Sequence, residues 1–431
     1  MLDYRYLDNI ALIEDNKYIT YRELKNLVKE FEKSLVDTKS IIAIYMDTTI
    51  DSVVAYLASM QKNYAVLMLE PTSQQNIQLC ELYDVDYIFD KKLLKKDTKI
   101  NKIYKDLALL LPTSGSTGSP KFVRLSKENI LYNTQSILSY LPINQTDITI
   151  TSLPLFYSYG LSVLNTHLVS GATVVLTSES LLSKNFWELF KNHNITNLNG
   201  VPYHYEILMK LRFFKKEYHT LRFLTQAGGK LSKDIILEVS NYALKNNKEF
   251  FVMYGQTEAS ARISYIDTKR LLKKPNSIGK AIDGIKLTLQ DSELVVDAKN
   301  VMLGYASNID DLAKGDENKG ILHTQDLGYK DEDGDFYITA RASRFVKVVG
   351  NRINLDDIEK KLLQNSYKCV VIAKDDFILV LTLNDDVSEI KQYLVKNYKL
   401  HHSLVGVKKI DNWIVKSNSK IDYKEMQQRY L

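Results

Sequence analysis

The chain has 431 residues, of which 45% are hydrophobic and 25% charged, and its formal net charge is +5. This length exceeds one ordinary compact core and predicts two or three structural units, while the composition excludes a disordered or fibrous chain. The apolar runs are far shorter than the ~18 residues of a membrane span, and the first twenty residues lack the pattern of a secretory signal. We therefore expect a cytoplasmic protein that does not enter the membrane. Cys80 and Cys369 are the only cysteines, too few for a disulfide framework and without zinc-ligand spacing, which indicates packing roles.

The positive charge is concentrated near the C-terminus. Residues 344–431 contain 16 Lys and Arg against 11 Asp and Glu, whereas the two signs balance in the preceding part of the chain. Such an excess is typical of a solvated basic face, and it also suits a docking surface for an anionic partner. The net charge is mild for a nucleic-acid-binding protein, so we expect no nucleic-acid partner.

Strand-like and helical patterns alternate along the first 280 residues. Leu24, Leu27, Val28 and Phe31 recur at helical spacing, and they are followed by short β-rich runs at 41–46, 64–69 and 86–90. Further runs of strand character are 147–154, 173–178, 194–201, 223–229 and 249–255. This rhythm is typical of βαβ units and predicts the α/β class.

The pattern changes toward the C-terminus. Beyond residue 280, short β segments with polar turns, such as Asp333-Gly334, predict a small β subdomain. After residue 343, two helical stretches, a hairpin turning at Asp375-Asp376 and a last strand near 404–410 predict a small α+β unit. We therefore predict a large N-terminal domain of α/β subdomains plus a small β subdomain, residues 1–342, and a small mobile α+β C-terminal domain, residues 343–431.

A Ser/Thr/Gly-rich stretch directly follows an apolar strand. Its residues are Thr113, Ser114, Gly115, Ser116, Thr117 and Gly118, and Lys121 follows closely. Glycines let the backbone turn its N–H groups toward an anion, hydroxyls add donors and a lysine adds charge, so this stretch predicts a phosphate cradle. It is not the loop of a P-loop NTPase, because no glycine precedes Lys121 and Phe122 stands where a Ser or Thr should follow.

Residues 109–126 resemble the phosphate-loop signature of the adenylate-forming superfamily, which includes acyl-CoA synthetases, aryl-CoA ligases, carrier-protein-loading adenylation domains and luciferases. Other signatures of that family recur in order along the chain. Residues 254–258 resemble its YGxTE motif, and the resemblance implies nucleotide contacts by Tyr254, Gly255, Gln256 and Thr257, and a magnesium ligand in Glu258. Gly228 and Gly229 resemble the glycine-rich strand end that borders the adenine and acyl pockets.

Two signatures in the later part of the chain depart from the usual pattern. Residues 324–326 resemble the TGD motif, which implies that Asp326 binds the ribose hydroxyls, although Gln325 replaces glycine. Residues 340–353 resemble the hinge motif, which implies ribose contact by Arg341, a hinge at Ser343 and a thiol tunnel bordered by Gly350. Ser343 stands where Asp is common.

The segment 416–422 resembles the terminal TxxGKxD loop of the family, with Lys416 and Ser419 in place of Thr and Gly. The resemblance implies that Lys420 is the catalytic lysine, which stabilises charge between the substrate carboxylate and the α-phosphate. Thr257, Glu258 and Lys121 complete the implied catalytic set.

The segment from Leu153 resembles the PLFHxxG stretch of acyl- and aryl-CoA ligases, with Tyr157 in place of His. Tyr157, Tyr159 and Gly160 are therefore expected to shape the acyl pocket. The Asp with which amino-acid-activating members hold an ammonium group is absent, which favours a small or medium acid other than an amino acid. We assign no role to His204 and His323.

Together these features predict an acid–thiol ligase that uses ATP and Mg²⁺ to adenylate a carboxylic acid and passes the acyl group to CoA or to the phosphopantetheine of an acidic acyl carrier protein. Two alternatives stay open: a non-catalytic nucleotide-binding scaffold with the same fold, and an adenylating enzyme with a non-thiol acceptor.

Overall fold

The computed structural model of the chain describes residues 6–97, 102–112, 121–341, 344–348, 351–398, 400–416 and 420–431. The helices in these residues are α1 (Tyr21–Lys33), α2 (Ile50–Gln61), α3 (Asn76–Leu82), α4 (Lys127–Leu138), α5 (Ser158–Val169), α6 (Lys184–Asn192), α7 (Pro202–Lys210), α8 (Lys233–Lys245), α9 (Thr268–Lys273), α10 (Leu355–Gln364), α11 (Val387–Tyr398) and α12 (Tyr423–Tyr430).

The strands of the N-terminal half are β1 (Ile10–Glu14), β2 (Lys17–Thr20), β3 (Ile41–Tyr45), β4 (Ala65–Leu69), β5 (Tyr87–Asp90), β6 (Lys92–Lys95), β7 (Leu107–Pro112), β8 (Phe122–Ser126), β9 (Ile148–Ile150), β10 (Thr173–Leu176), β11 (Asn197–Gly200), β12 (Phe223–Gln226) and β13 (Glu249–Tyr254). Those that follow are β14 (Ser264–Ile266), β15 (Lys280–Ala281), β16 (Lys286–Gln290), β17 (Glu293–Asp297), β18 (Gly304–Ala306), β19 (Ile321–Lys330), β20 (Phe336–Arg341), β21 (Phe345–Val348), β22 (Asn351–Asn354), β23 (Cys369–Lys374), β24 (Phe377–Thr382) and β25 (Val405–Lys409).

The described part of the chain divides into two compact units. The first comprises Met1–Thr288, Val295–Leu322 and Asp333–Asp335, and the second comprises Leu289–Leu294, His323–Glu332 and Phe336–Leu431. The domain boundary between residues 342 and 343 stays a prediction.

The first unit contains two large sheets. One has the strand order β15-β14-β13-β12-β11-β9-β10-β1-β2, and its central strands run parallel, as the register Leu224↔Phe250 of β12 and β13 shows. The other has the order β18-β8-β7-β4-β3-β5-β6, also with parallel central strands. These strands are apolar and buried along their length because parallel sheets are covered on both faces. The predicted α/β class is confirmed.

Local signals explain where the helices begin. The Thr20 side chain accepts from the backbone N–H of Glu23, whose carboxylate accepts from the Thr20 backbone, so α1 starts with a capping box. Ser126 and Asn129 form the same arrangement at α4, directly after β8. The chain therefore turns from strand to helix at Ser126, at the end of the strand that begins directly after Lys121.

The second unit contains the predicted α+β elements. Strands β23, β24 and β25 form one sheet, in which β23 and β24 pair antiparallel around a turn where Asp375 has φ +52°. Helices α10 and α11 bury Ile358 and Ile390 in the core of this unit. Within the described residues, none of the helices combines the length and the apolar character needed to cross a membrane.

Candidate active site

In the first unit, the predicted nucleotide motif lies at the carboxyl end of β13. A Cβ atom at Gly255 would lie 2.0 Å from the Ala261 carbonyl oxygen, so only glycine permits this close return of the chain. Tyr254 and Thr257 are buried, and a short 3₁₀-helix, Thr257–Ala259, carries Glu258 out of the core. The carboxyl ends of β11 and β12 lie beside this strand end, since the three strands run parallel. This edge is where α/β sheets bind ligands.

Thr257 contacts the segment predicted to shape the acyl pocket. Its hydroxyl lies 3.2 Å from the Ser158 hydroxyl, at the first residue of α5 and directly after Tyr157. A Cβ at Gly160 would lie 2.2 Å from the Pro154 carbonyl oxygen, which explains the glycine. The motif at β13 and the start of α5 are therefore neighbours.

Glu258 and Lys121 meet through Tyr305, which the sequence analysis did not identify. The Tyr305 hydroxyl donates to Glu258 Oε1 at 3.0 Å, and Lys121 Nζ lies 5.9 Å from the centre of the Tyr305 ring. Burial and the Glu258 charge raise the pKa of Tyr305, so its hydroxyl stays protonated. A partly exposed carboxylate suits Mg²⁺, which prefers oxygen ligands and keeps several waters.

A buried chain of hydrogen bonds ends at Tyr159. Its members, in order from the phenol, are Tyr159, Thr225, Asn199, Asn197 and His167, joined at distances of 2.7, 2.6, 3.0 and 3.0 Å. Burial lowers the pKa of His167 to about 4, so this residue is neutral near pH 7.

The direction of every bond in this chain follows from His167. Its Nδ1–H donates to a backbone carbonyl of α5 at 2.8 Å, so Nε2 accepts from Asn197. The Asn199 amide then donates to Asn197, the Thr225 hydroxyl donates to Asn199, and the Tyr159 hydroxyl donates to Thr225. Burial raises the pKa of Tyr159 to about 12, so it keeps that proton. The hydrogen bond to Thr225 therefore fixes the orientation of the Tyr159 side chain.

The glycine pair after β12 lies against α7. Gly228 has φ +85°, which favours glycine, and a Cβ at Gly229 would approach Pro202 Cγ to 3.1 Å. Gln226 Nε2 donates to the Gly229 carbonyl at 2.9 Å. The two glycines therefore allow the chain after β12 to turn and to pack closely against Pro202.

In the second unit, the two predicted ribose residues are in contact. Arg341 Nε donates to Asp326 Oδ1 at 2.9 Å, and the two residues are register partners of β20 and β19. Asp326 is buried, and its backbone N–H donates to the Thr324 hydroxyl at 3.1 Å. Gln325 has φ +61°, the conformation that glycine adopts at low cost.

Lys420 lies beside Lys416, to which its backbone is hydrogen-bonded. The Lys416 N–H donates to the Lys420 carbonyl at 2.8 Å, and Val415 and Ile421 form an antiparallel bridge. Burial, helped by the charges of Lys420 and Lys424, lowers the pKa of Lys416, while Asp422 opposes this. Lys420 is therefore held on a defined backbone beside a second lysine.

A buried ionic network stands between the hinge segment and α12. Arg344 donates to Asp356 at 2.7 Å, to Glu359 at 2.6 Å and to the Val371 carbonyl at 2.8 Å. Glu359 also accepts from the Tyr423 hydroxyl at 3.1 Å, and the Arg344 guanidinium lies 4.4 Å from the centre of the Tyr423 ring. This network connects the residue after Ser343 with the first residue of α12.

The remaining predicted site residues cannot be placed. Thr113, Ser114, Gly115, Ser116, Thr117, Gly118, Ser343 and Gly350 lie outside the described residues.

The first unit holds paired hydroxyls, a carboxylate and a lysine around the end of β13 and Tyr305, and the second unit separately holds an Asp–Arg pair; such groups on an α/β fold are typical of nucleotide-dependent enzymes. The chain belongs to the AMP-binding enzyme family, whose sequence model matches residues 74–306. The predicted membership of the adenylate-forming superfamily is confirmed.

Comparisons with individual proteins agree with this family. The chain is 25% identical to the 2-succinylbenzoate–CoA ligase of Bacillus pumilus over 84% of this chain and 80% of the relative. It is 28% identical to the oxalate–CoA ligase of Arabidopsis thaliana over 60% of this chain, spanning about half, 52%, of that relative. The solved o-succinylbenzoate CoA synthetase of Bacillus subtilis, in complex with ATP and magnesium, superposes with a TM-score of 0.78 at 20% identity, covering 98% of this chain and 97% of that chain. This last likeness establishes the fold.

Proposed function

We propose that the chain is an ATP-dependent acid–thiol ligase that adenylates a carboxylic acid and transfers the acyl group to a thiol. The contact of Glu258 with Tyr305, and of Tyr305 with Lys121, carries the proposal, because one tyrosine lies beside both the predicted metal ligand and the lysine predicted to bind phosphate. The relatives named as CoA ligases support the same reaction class.

Each of the predicted residues has a separate role in the adenylation step. Asp326 and Arg341 bind the ribose hydroxyls, Thr257 donates to the α-phosphate, and Lys121 neutralises phosphate charge. Glu258 holds Mg²⁺, which withdraws charge from the phosphate oxygens when bound. Lys420 bridges the substrate carboxylate and the α-phosphate. Groups that are fixed before reaction contribute most to the electrostatic stabilisation of the transition state.

The chemistry needs ATP because a carboxylate oxygen is too poor a leaving group for direct exchange with a thiol. A carboxylate oxygen attacks the α-phosphorus, the bond from that phosphorus to the bridging oxygen of the β-phosphate breaks, and pyrophosphate leaves. The thiol sulfur, having lost its proton, then attacks the acyl carbon, the bond to the adenylate oxygen breaks and AMP leaves.

The acceptor is CoA or the phosphopantetheine of a carrier protein. The excess of Lys and Arg in residues 344–431 suits either anionic acceptor. A cytoplasmic location follows from the sequence alone and stays a prediction.

Pyrophosphate release tests the adenylation step. The protein is incubated with ATP, Mg²⁺, hydroxylamine and a panel of acids that includes 2-succinylbenzoate and oxalate, and the Lys420→Ala variant is compared with Lys424→Ala, a neighbouring lysine outside the predicted set. We expect release that depends on one acid and falls by about 100-fold or more in Lys420→Ala alone, the usual scale for losing one transition-state charge contact.

The same assay separates the alternatives. Release that proceeds with hydroxylamine but not with CoA or a loaded carrier protein indicates a non-thiol acceptor. Binding of ATP without release for any acid indicates the nucleotide-binding scaffold instead.

A further inference from the structure

Arg262 is a buried cation without an anionic partner. Its side chain lies on the loop between the nucleotide motif and β14, and the residue is 3% exposed. One guanidinium nitrogen donates to the adjacent Ala261 carbonyl at 3.0 Å, and Nε has no hydrogen-bond partner. Among the residues described, no carboxylate lies within ion-pair distance of it. Burying a charge in this way is unfavourable unless something else pairs with it.

The chain satisfies a comparable arginine completely. Arg124 is also fully buried, yet its nitrogens donate to the carbonyls of Leu303, Tyr305 and Gly315 and it pairs with Glu317. Arg124 therefore has the partners expected of a structural arginine. Arg262 has the Ala261 carbonyl, the Tyr140 side chain and the Tyr159 ring as its neighbours, but no carboxylate among the residues described, which indicates that its anionic partner is a ligand.

The backbone around Arg262 is held firmly. The Asn133 and Asn300 side chains both donate to the Arg262 carbonyl, at 2.9 and 3.0 Å. Ser260 and Ala261 have φ values of +53° and +108°, which are strained for residues with a Cβ. Strain of this kind persists where the surrounding structure enforces it, and it is common at ligand sites.

The surroundings of Arg262 are the predicted acyl pocket. Its guanidinium carbon lies 4.0 Å from the centre of the Tyr159 ring, which is fixed by the hydrogen-bond chain to His167. Tyr159 packs in a cluster with Ala227, and Tyr157 and Tyr140 pack against that cluster. Stacking on an aromatic face stabilises the positive charge but does not pair the Nε–H of Arg262. A carboxylate is the acceptor that best matches the planar fork of an arginine.

We propose that Arg262 binds a second carboxylate on the acyl substrate, so that the enzyme activates dicarboxylic acids. This inference rests on the proposed function, because it assumes that an acid occupies the pocket beside Tyr159. The carboxylate that reacts is the other one, at the end of the substrate nearer the nucleotide.

Matched pairs of acids test this assignment. Succinate and butanoate, glutarate and pentanoate, and phthalate and benzoate differ by one carboxylate, and kcat/KM for pyrophosphate release is measured for each. We expect at least one dicarboxylic acid to exceed its partner by about 100-fold, and Arg262→Met to remove that preference while its activity on the monocarboxylic acid changes by less than about threefold. Arg262→Lys should retain part of the preference. Arg22→Met, an exposed arginine paired with Asp8, is the matched control.

Binding measurements keep the two proposals distinguishable. Calorimetry with AMP present compares the affinity of each acid for wild type and Arg262→Met, and it does not require turnover. Loss of dicarboxylate binding with unchanged AMP affinity supports the inference even if no acid is turned over, in which case only the proposed function fails. The inference is overturned if the wild type uses both members of every pair equally well. It is also overturned if Arg262→Met binds AMP more weakly. The first of these tests needs only the wild type, so it remains valid even if the variants do not fold.

Discussion

Replacing Tyr305 with Phe removes one hydroxyl from the candidate metal site and leaves the ring that faces Lys121. The hydroxyl donates to Glu258 at 3.0 Å, and hydrogen bonds to a charged group contribute about 1.5–3 kcal/mol. Because Glu258 is partly exposed, we take the lower end, about 1.5 kcal/mol, which corresponds to roughly tenfold in an equilibrium constant. Without this bond the carboxylate samples more orientations, so we expect the apparent KM for Mg²⁺ to rise by up to about tenfold.

The assay is pyrophosphate release measured as a function of Mg²⁺ at saturating ATP and acid, with Mn²⁺ binding followed directly by electron paramagnetic resonance. Tyr367→Phe is the matched control, since the Tyr367 hydroxyl donates to Glu389 at 2.8 Å in the second unit, where no metal ligand is predicted. An unchanged KM for Mg²⁺ in Tyr305→Phe refutes the reasoning. A lower KM refutes it as well, because it means that the hydroxyl competes with the metal.

Three further predictions concern stability. Gln325→Gly relieves a φ of +61° and should raise the urea-unfolding free energy by about 0.5–1 kcal/mol; a decrease contradicts the strain argument. The folded-state pKa of His167, about 4, lies below the unfolded value near 6.5, so the stability that neutral His167 contributes is complete above pH 6.5 and is lost as the pH falls toward 4, by about 3 kcal/mol in all. Urea titrations at several pH values should therefore show a weaker pH dependence of the unfolding free energy in His167→Gln than in the wild type. Equal pH dependence in the two proteins contradicts this prediction. Arg344→Met leaves Glu359 buried without its cation and should cost about 3–5 kcal/mol, measured by the same titration against Arg429→Met, an arginine on the exposed side of α12; a loss equal to that of the control contradicts the network.

The sequence predicts the elements of this fold where its patterns are strong. The short apolar runs that alternate with helical stretches form β3, β4, β12 and β13, which are buried parallel strands. The pattern of these runs predicts the strands. Helix α12 was not predicted, because it is largely polar and buries only Met426, which leaves little periodicity to detect.

The site residues likewise include some that a local sequence pattern predicts and some that it does not. Thr257 and Glu258 belong to a contiguous motif, whereas Tyr305 lies near Lys121 because β18 pairs with β8 and brings Tyr305 opposite Val123, two residues beyond Lys121. That pairing joins segments far apart in the chain, and no local pattern reports it. Arg262 did have a signal, namely a single positive charge between Ala261 and Ile263, four residues after Glu258, but the absence of a carboxylate partner becomes visible only with the fold.

The network of Arg344 constrains the predicted hinge. Arg344 is bonded to Asp356, Glu359 and the Val371 carbonyl within the second unit, so breaking those contacts to rotate the chain after residue 344 would expose a buried ion pair. We therefore predict that any rotation of the C-terminal elements takes place before Arg344, which agrees with the hinge that the sequence predicts at Ser343. The same network includes Tyr423, three residues after Lys420, so such a rotation would carry the lysine and its supporting helix together. If the predicted hinge moves Lys420, the contacts of Arg344 and Tyr423 would keep that lysine and α12 moving as one body.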